Sequence, residues 1–210
     1  MTEKTEQQQT RLTFIQRTRR TQLVECAIAV LADDGYAQAS LSRIAKRADV
    51  TRGAISYHFA DRDELLDAVV AEVYRIATEQ LQPKIEAQST TVQAIRTFIV
   101  GSTEFYRDFP SQMAALHEIV SHARGDDGSV RHTEQKRANE QELSALGVLL
   151  ERGKAAGEFR DFSTPIMART IRSALDGLLV QLRATPKYDA IADAVELADI
   201  FEHALVAHKA

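Results

Sequence analysis

Apolar residues recur at helical spacing along nearly all of the 210-residue chain. Leu23, Cys26, Ala27, Val30 and Leu31 share one face and predict a helix over 17–34, with Gly35 just past its end. Leu41, Ile44, Ala45 and Ala48 fall at i, i+3, i+4 and i+7 and predict a short helix capped by Ser40. Ala48-Asp49-Val50 then reverses the chain, and Asp tolerates the left-handed backbone such a turn needs. Thr51 can cap a further helix, predicted over 52–59. Asp61 starts a long helix bearing Leu65, Leu66, Val69, Val70, Val73, Tyr74 and Ile76, predicted to run to Leu81 and to be closed by Pro83. More helices are predicted over 90–108, 110–124, 133–156, 164–184 and 189–208. Gly125–Ser129, GDDGS, reads as a flexible loop, and Gly157 ends the 133–156 helix. Alternating β-branched runs are scarce, so the fold class is all-α.

The 52–59 segment splits into two faces at 100° per residue. Arg52, Gly53, Ser56 and Tyr57 lie on one side, while Ala54, Ile55 and Phe59 lie on the other with His58 at the edge. A cation, a hydroxyl, a phenol and a glycine with no side chain in the way suit phosphates and base edges in a major groove. Two short helices joined by a tight turn, the second with such a face, read as a helix-turn-helix.

Charge sharpens this picture. The net charge of −4 argues against a nucleic-acid binder, but its distribution argues for one. Between Arg11 and Phe59 there are eight Lys/Arg and four Asp/Glu, whereas residues 60–210 carry a net −7. RLTFIQRTRR, Arg11–Arg20, either extends the first helix or forms a basic arm able to reach a minor groove. There is no run of 18 apolar residues and no apolar stretch in the polar N-terminus MTEKTEQQQTR, so neither a membrane span nor a secretory signal is expected. Cys26 is the single cysteine and is read as a buried structural thiol in a reducing, cytoplasmic setting.

Catalytic chemistry is not evident. There is no G-x-S-x-G elbow and no glycine-rich phosphate loop. His117 and His122 are five residues apart, as are His203 and His208, which is the wrong spacing for a metal on one helix face. The chain is therefore read as no enzyme, with no cofactor and no metal.

The run Gly35-Tyr36, Ser40-Leu41, Ile44-Ala45, Val50-Thr51, Gly53, Ile55-Ser56-Tyr57-His58-Phe59, Arg62 and Glu64-Leu65-Leu66 resembles the DNA-binding domain of TetR-family transcriptional regulators. The resemblance covers roughly residues 17–66. Asp49 stands where that family often has Gly, and Ala60 where a Lys is common. The resemblance implies DNA contacts from Ser40, Ser42, Arg43, Thr51, Arg52, Gly53, Ser56, Tyr57, His58 and Arg62. It divides the chain into a flexible arm over 1–15, a helix-turn-helix domain over 16–60 and a helical ligand-binding and dimerisation domain over 61–210. In that family the fourth helix links the DNA-reading unit to the body.

It further implies a small-molecule site, for which Tyr74, Phe98, Ser102, Tyr106, Met113, His117, Met167, Arg172 and Asp176 are candidates. Asp176 could pair with Arg172, line the site or cross a dimer interface. The last two helices are expected to bury Leu175, Leu178, Leu179, Leu182, Val195, Ala198, Phe201 and Leu205 against a second copy. The function implied is a cytoplasmic, homodimeric regulator. It is expected to repress at a near-palindromic double-stranded DNA operator and to be released by a small-molecule effector, without membrane association. The alternative is a helical ligand-binding or protein-interaction module without specific operator binding, favoured by Ala60 and the acidic total charge.

Overall fold

A computed structural model describes the backbone of residues 2–122, 133–185 and 187–206, with side chains from Gln16 onward except Thr133 and Gln135. Its helices are α1 (Thr2–Asp34), α2 (Leu41–Arg47), α3 (Arg52–Ser56), α4 (Arg62–Glu86), α5 (Thr91–Asp108), α6 (Pro110–Ser121), α7 (Thr133–Ala155), α8 (Thr164–Ala184) and α9 (Ala190–Leu205), with a 3-10 turn over Tyr36–Gln38. The all-α expectation holds among the described residues. Backbone contacts divide the chain into two units: residues 1–73 with 111–135, and residues 74–110 with 136–210.

In the first unit, α1 packs on α2 and α2 on α3. Leu23, Ala27, Val30, Leu31, Ile44, Ile55, Phe59, Leu65, Leu66, Val69 and Val70 are almost fully buried. The local signals work as their chemistry suggests. Gly35 leaves α1 at φ 81° and Asp49 turns the chain at φ 53°. Ser40 and Thr51 accept hydrogen bonds from the amides of Arg43 and Ala54, at 3.2 and 3.3 Å. Asp61 accepts from the Glu64 amide at 2.8 Å, and the Glu64 carboxylate accepts from the Ala60 amide at 2.7 Å, which fixes the start of α4.

Several boundaries differ from the sequence expectation. The α1 backbone begins at Thr2 rather than at residue 17, so the stretch read as a flexible arm is continuous with the helix. Pro83 lies inside α4, which closes one turn later, with the Ala87 amide bonded to the Pro83 carbonyl at 3.1 Å. A proline that near the end removes one bond without breaking a helix already built N-terminal to it. The description of α6 ends at Ser121, and both the 125–129 loop and His208 lie outside the described residues.

The second unit is built around α5, which packs on α8 and α9. Ile95, Ile99, Leu146, Leu150, Ile171, Leu175, Ala194, Ala198 and Leu205 form its core. Thr90 caps α5, and Glu158 Oε2 also accepts from the amides of Thr91 and Val92, at 2.8 and 3.1 Å. Gly153 makes room for the Phe159 ring: a Cβ there would stand 2.2 Å from Phe159 Cε2. Phe159 also bridges to Val206, and Arg160 donates to the carbonyls of Ala204 and Leu205, closing the end of α9.

Candidate nucleic-acid interface

The capped start of α3 sets the geometry. Thr51 holds the first turn, Ile55 and Phe59 anchor the opposite side in the core, and Arg52, Gly53, Ser56 and Tyr57 are all exposed. The predicted two-faced wheel therefore holds, but over a shorter helix. Tyr57 caps the helix after Ser56, and the His58 and Phe59 amides both bond back to the Ile55 carbonyl, the first as a tighter i→i−3 turn. His58 is consequently half-buried, with its ring edge-on to Tyr57 at 5.1 Å.

Tyr57 is 71% exposed, yet it is held: its hydroxyl accepts from Gln16 Nε2 of α1 at 2.9 Å. Gln16 was not among the sequence candidates, because nothing local places it beside α3. The nearest heavy atom to a Cβ on Gly53 would be Thr51 Oγ1 at 3.8 Å, so no packing contact of this chain demands a glycine there. Ser40 and Ser42 are exposed at the start of α2. Arg43 is half-exposed and donates through Nε to Asp34 at 2.9 Å, a bond that lowers the Asp34 carboxyl below its ordinary range. Arg47 pairs with Asp33 at 2.8 Å, and Arg20 lies over the Phe59 ring at 4.4 Å. Among the described residues Arg52, the cation of α3, has no ion pair.

Arg62 is held by its own chain. Its Nε donates to the Ala39 carbonyl at 2.7 Å, its Nη2 donates to the Tyr36 carbonyl at 2.5 Å, and the guanidinium sits 4.1 Å from the Tyr36 ring centre. These contacts turn it inward as a clamp between α4 and the turn ahead of α2. Tyr36 is also stacked on His122, at 4.5 Å, and its amide donates to Glu118 at 3.0 Å.

The model for bacterial regulatory proteins of the tetR family matches residues 23–69. The transcriptional regulator BetI of Yersinia pestis (strain Pestoides F) is 33% identical over 91 residues, 43% of this chain but only 46% of BetI. The chain thus matches about half the length of that relative. The regulator CymR of Pseudomonas putida is 30% identical over 156 residues, 72% of this chain and 76% of CymR. The chain belongs to the TetR family. The same fold is seen in the regulator FadR of Bacillus subtilis, solved in complex with stearoyl-CoA, with a TM-score of 0.74 at 19% identity over 86% of this chain and 96% of that one.

Within this TetR-family chain the candidate small-molecule residues separate. Met113, buried, and His117, exposed and bonded to Ser121 Oγ at 3.3 Å, belong to the first unit. The others belong to the second. Phe98 and Ser102 are buried on α5, and Met167 is half-buried on α8. Tyr106 and Asp176 converge on Arg172, and Tyr74 lies within its electrostatic reach. Its Nη1 donates to Tyr106 Oη at 3.1 Å, its Nη2 pairs with Asp176 at 2.9 Å, and its Nε lies 3.3 Å from Glu142 Oε2. Burial pushes the Tyr74 phenol up to about 12, with Glu142 adding to it, and raises Tyr106 and the Glu142 carboxyl as well. Glu142 was missed, although it lies one turn before Leu146 on the apolar stripe of α7; a carboxylate in that register is the signal that points to it.

The residues expected at a dimer interface divide too. Leu175, Ala198, Phe201 and Leu205 are buried in their own chain, where α5, α8 and α9 pack on one another. Leu178, Leu179 and Leu182 are half-buried, and Val195 is 37% exposed. Two residues outside the expected set, Val180 on α8 and Ile200 on α9, are 60% and 56% exposed. Among the described residues no cluster suited to a metal occurs, and no helix is long and apolar enough to cross a membrane.

Proposed function

We propose that this chain is a cytoplasmic DNA-binding transcriptional regulator that acts as a homodimer. It represses at a near-palindromic operator and is released when a small molecule binds its second unit. The observation that carries this reading is the Thr51-capped α3, which is anchored by Ile55 and Phe59 and presents Arg52, Gly53, Ser56 and Tyr57 to solvent. Ser40 and Ser42, at the start of α2, supply hydroxyls for phosphates, and Arg43 supplies a cation. In a dimer the two recognition helices would enter successive major grooves about 34–36 Å apart. Val180, Val195, Ile200 and the half-buried Leu178, Leu179 and Leu182 supply the apolar surface for a second copy. The polar cluster around Arg172 supports the effector site, as does the stearoyl-CoA bound by the B. subtilis neighbour of the same fold.

The test is fluorescence-anisotropy binding to DNA from upstream of the protein's own gene, at two salt concentrations and against excess random DNA. Specific binding that weakens with salt is expected, and Arg52→Ala and Tyr57→Ala should weaken it while the fold is retained. Wild-type binding by both variants would show that the recognition face is misassigned. A second reading, a ligand-binding module without an operator, is favoured by Ala60 and by the inward-facing Arg62. Binding that random DNA competes away, also after selection from genomic fragments, would establish it.

A further inference from the structure

From the contact between α1 and the end of α3 we infer that Gln16 is a positioning residue of the DNA interface, which fixes the Tyr57 phenol as a hydrogen-bond donor toward the phosphate backbone. The inference rests on the recognition face described above and adds to it a residue from another helix.

Gln16 reaches Tyr57 through helical register. At about 100° per residue, Gln16, Arg20, Leu23, Ala27, Val30 and Leu31 fall on one stripe of α1. Leu23, Ala27, Val30 and Leu31 are the fully buried part of that stripe. One turn before Leu23, Arg20 lies over the Phe59 ring at 4.4 Å and 3.7 Å from Glu64. One turn earlier again, Gln16 Nε2 donates to Tyr57 Oη at 2.9 Å. The stripe that packs α1 into the core thus continues past the core and ends on the exposed side of α3. Gln16 lies ahead of residues 23–69, the span matched by the family model, so this contact belongs to a part of α1 outside the shared pattern.

The direction of the bond decides what Tyr57 offers. A phenol has one hydrogen to donate and lone pairs with which to accept. Gln16 occupies the accepting side, and among the described residues the phenolic hydrogen has no acceptor. Tyr57 is 71% exposed, so that hydrogen is open to an incoming partner. Phosphate oxygens only accept, and they take it without competing with Gln16, whereas a base amino group would compete for the phenol oxygen. Base acceptors are the rival, and position argues against them. The N-terminal residues of a recognition helix meet base edges, while Tyr57 is the C-cap of α3 and is tied to α1. A bond donated into a hydroxyl also polarises its O–H and strengthens what that O–H donates. It further holds an exposed side chain in place before DNA arrives, which lowers the cost of ordering it there.

The experiment is a double-mutant cycle on the full chain, with Gln16→Ala, Tyr57→Phe and the pair, and Arg52→Ala as control. Anisotropy is read on the operator fragment and on single-base-pair variants of it, and melting temperatures are measured in parallel. Tyr57→Phe should weaken binding by about tenfold per half-site and Gln16→Ala by about threefold, and Gln16→Ala should cost nothing further in the Tyr57→Phe background. Each loss should be the same on every fragment, as for a backbone contact. The slope of log binding constant against log salt should stay as in wild type for both substitutions, which remove no charge, and become shallower for Arg52→Ala. Melting temperatures should not change, whereas a merely structural Gln16 would lower them without this pattern on DNA. Wild-type affinity in Gln16→Ala, additive losses in the pair, or a loss confined to one base pair overturns the inference while a weakened Arg52→Ala upholds the recognition face. Wild-type affinity in Arg52→Ala as well as Gln16→Ala would overturn both.

Discussion

Arg62 separates a structural from a DNA-contacting role most sharply. It occupies a basic position from which a phosphate contact is expected, yet two of its nitrogens bond the Ala39 and Tyr36 carbonyls and its plane covers the Tyr36 ring. Arg62→Ala removes both bonds and the ring contact. Hydrogen bonds to a charged group contribute about 1.5–3 kcal/mol each, and the ring contact about 0.5–2 kcal/mol. Arg62 is only half-buried, so water recovers part of this, and a net loss of about 3 kcal/mol is expected. For a chain of this length that lowers the melting temperature by roughly 6–12 °C. Arg62→Lys keeps the charge but cannot bridge both carbonyls, and should fall between the two. The discriminating assay is the slope of log binding constant against log salt, measured well below the melting temperature. A phosphate contact contributes about 0.9 per protomer to that slope, while a clamp contributes nothing. A variant that melts like wild type, with a slope shallower by about 0.9 per protomer, would refute the clamp.

Gly153→Ala should destabilise the chain despite a gain of about 1 kcal/mol in helix propensity, because its Cβ at 2.2 Å from Phe159 Cε2 forces the ring out of a nearly buried position at a cost of about 3 kcal/mol or more; a raised urea midpoint would count against this packing. Tyr74 gives a pH dependence. Its phenol is raised from 10.0 to about 12, so the native state keeps a proton that the unfolded state loses. The stabilisation is fully present below pH 10 and is lost as pH rises toward 12, by roughly 2–3 kcal/mol, with Tyr106 acting in the same direction. Urea midpoints measured up through that range should fall less steeply in Tyr74→Phe. Ile200→Glu with Val180→Glu, at positions 56% and 60% exposed, should leave the fold intact but yield a monomer by sedimentation; a persistent dimer would place the interface elsewhere.

Local chemistry made much of this protein legible from its residues. Ser40 and Thr51 cap because a hydroxyl one residue before a helix meets its free amides, and Asp49 turns the chain because it tolerates a left-handed backbone. The apolar stripes and the polar face of α3 follow from helical periodicity, and with them the family resemblance. The tertiary structure decided what depends on residues far apart in the chain. Arg62 reads as a surface cation until carbonyls 23 and 26 residues away meet it. Gln16 is an ordinary polar residue until the Tyr57 hydroxyl, 41 residues on, reaches it. Leu175, Ala198, Phe201 and Leu205 carry the same apolar pattern whether they are covered by their own chain or by a second copy, and only the packing of α5, α8 and α9 shows that they are buried within the single chain. Periodicity fixes which side of a helix is apolar; which neighbour covers that side is a long-range property that no local window contains.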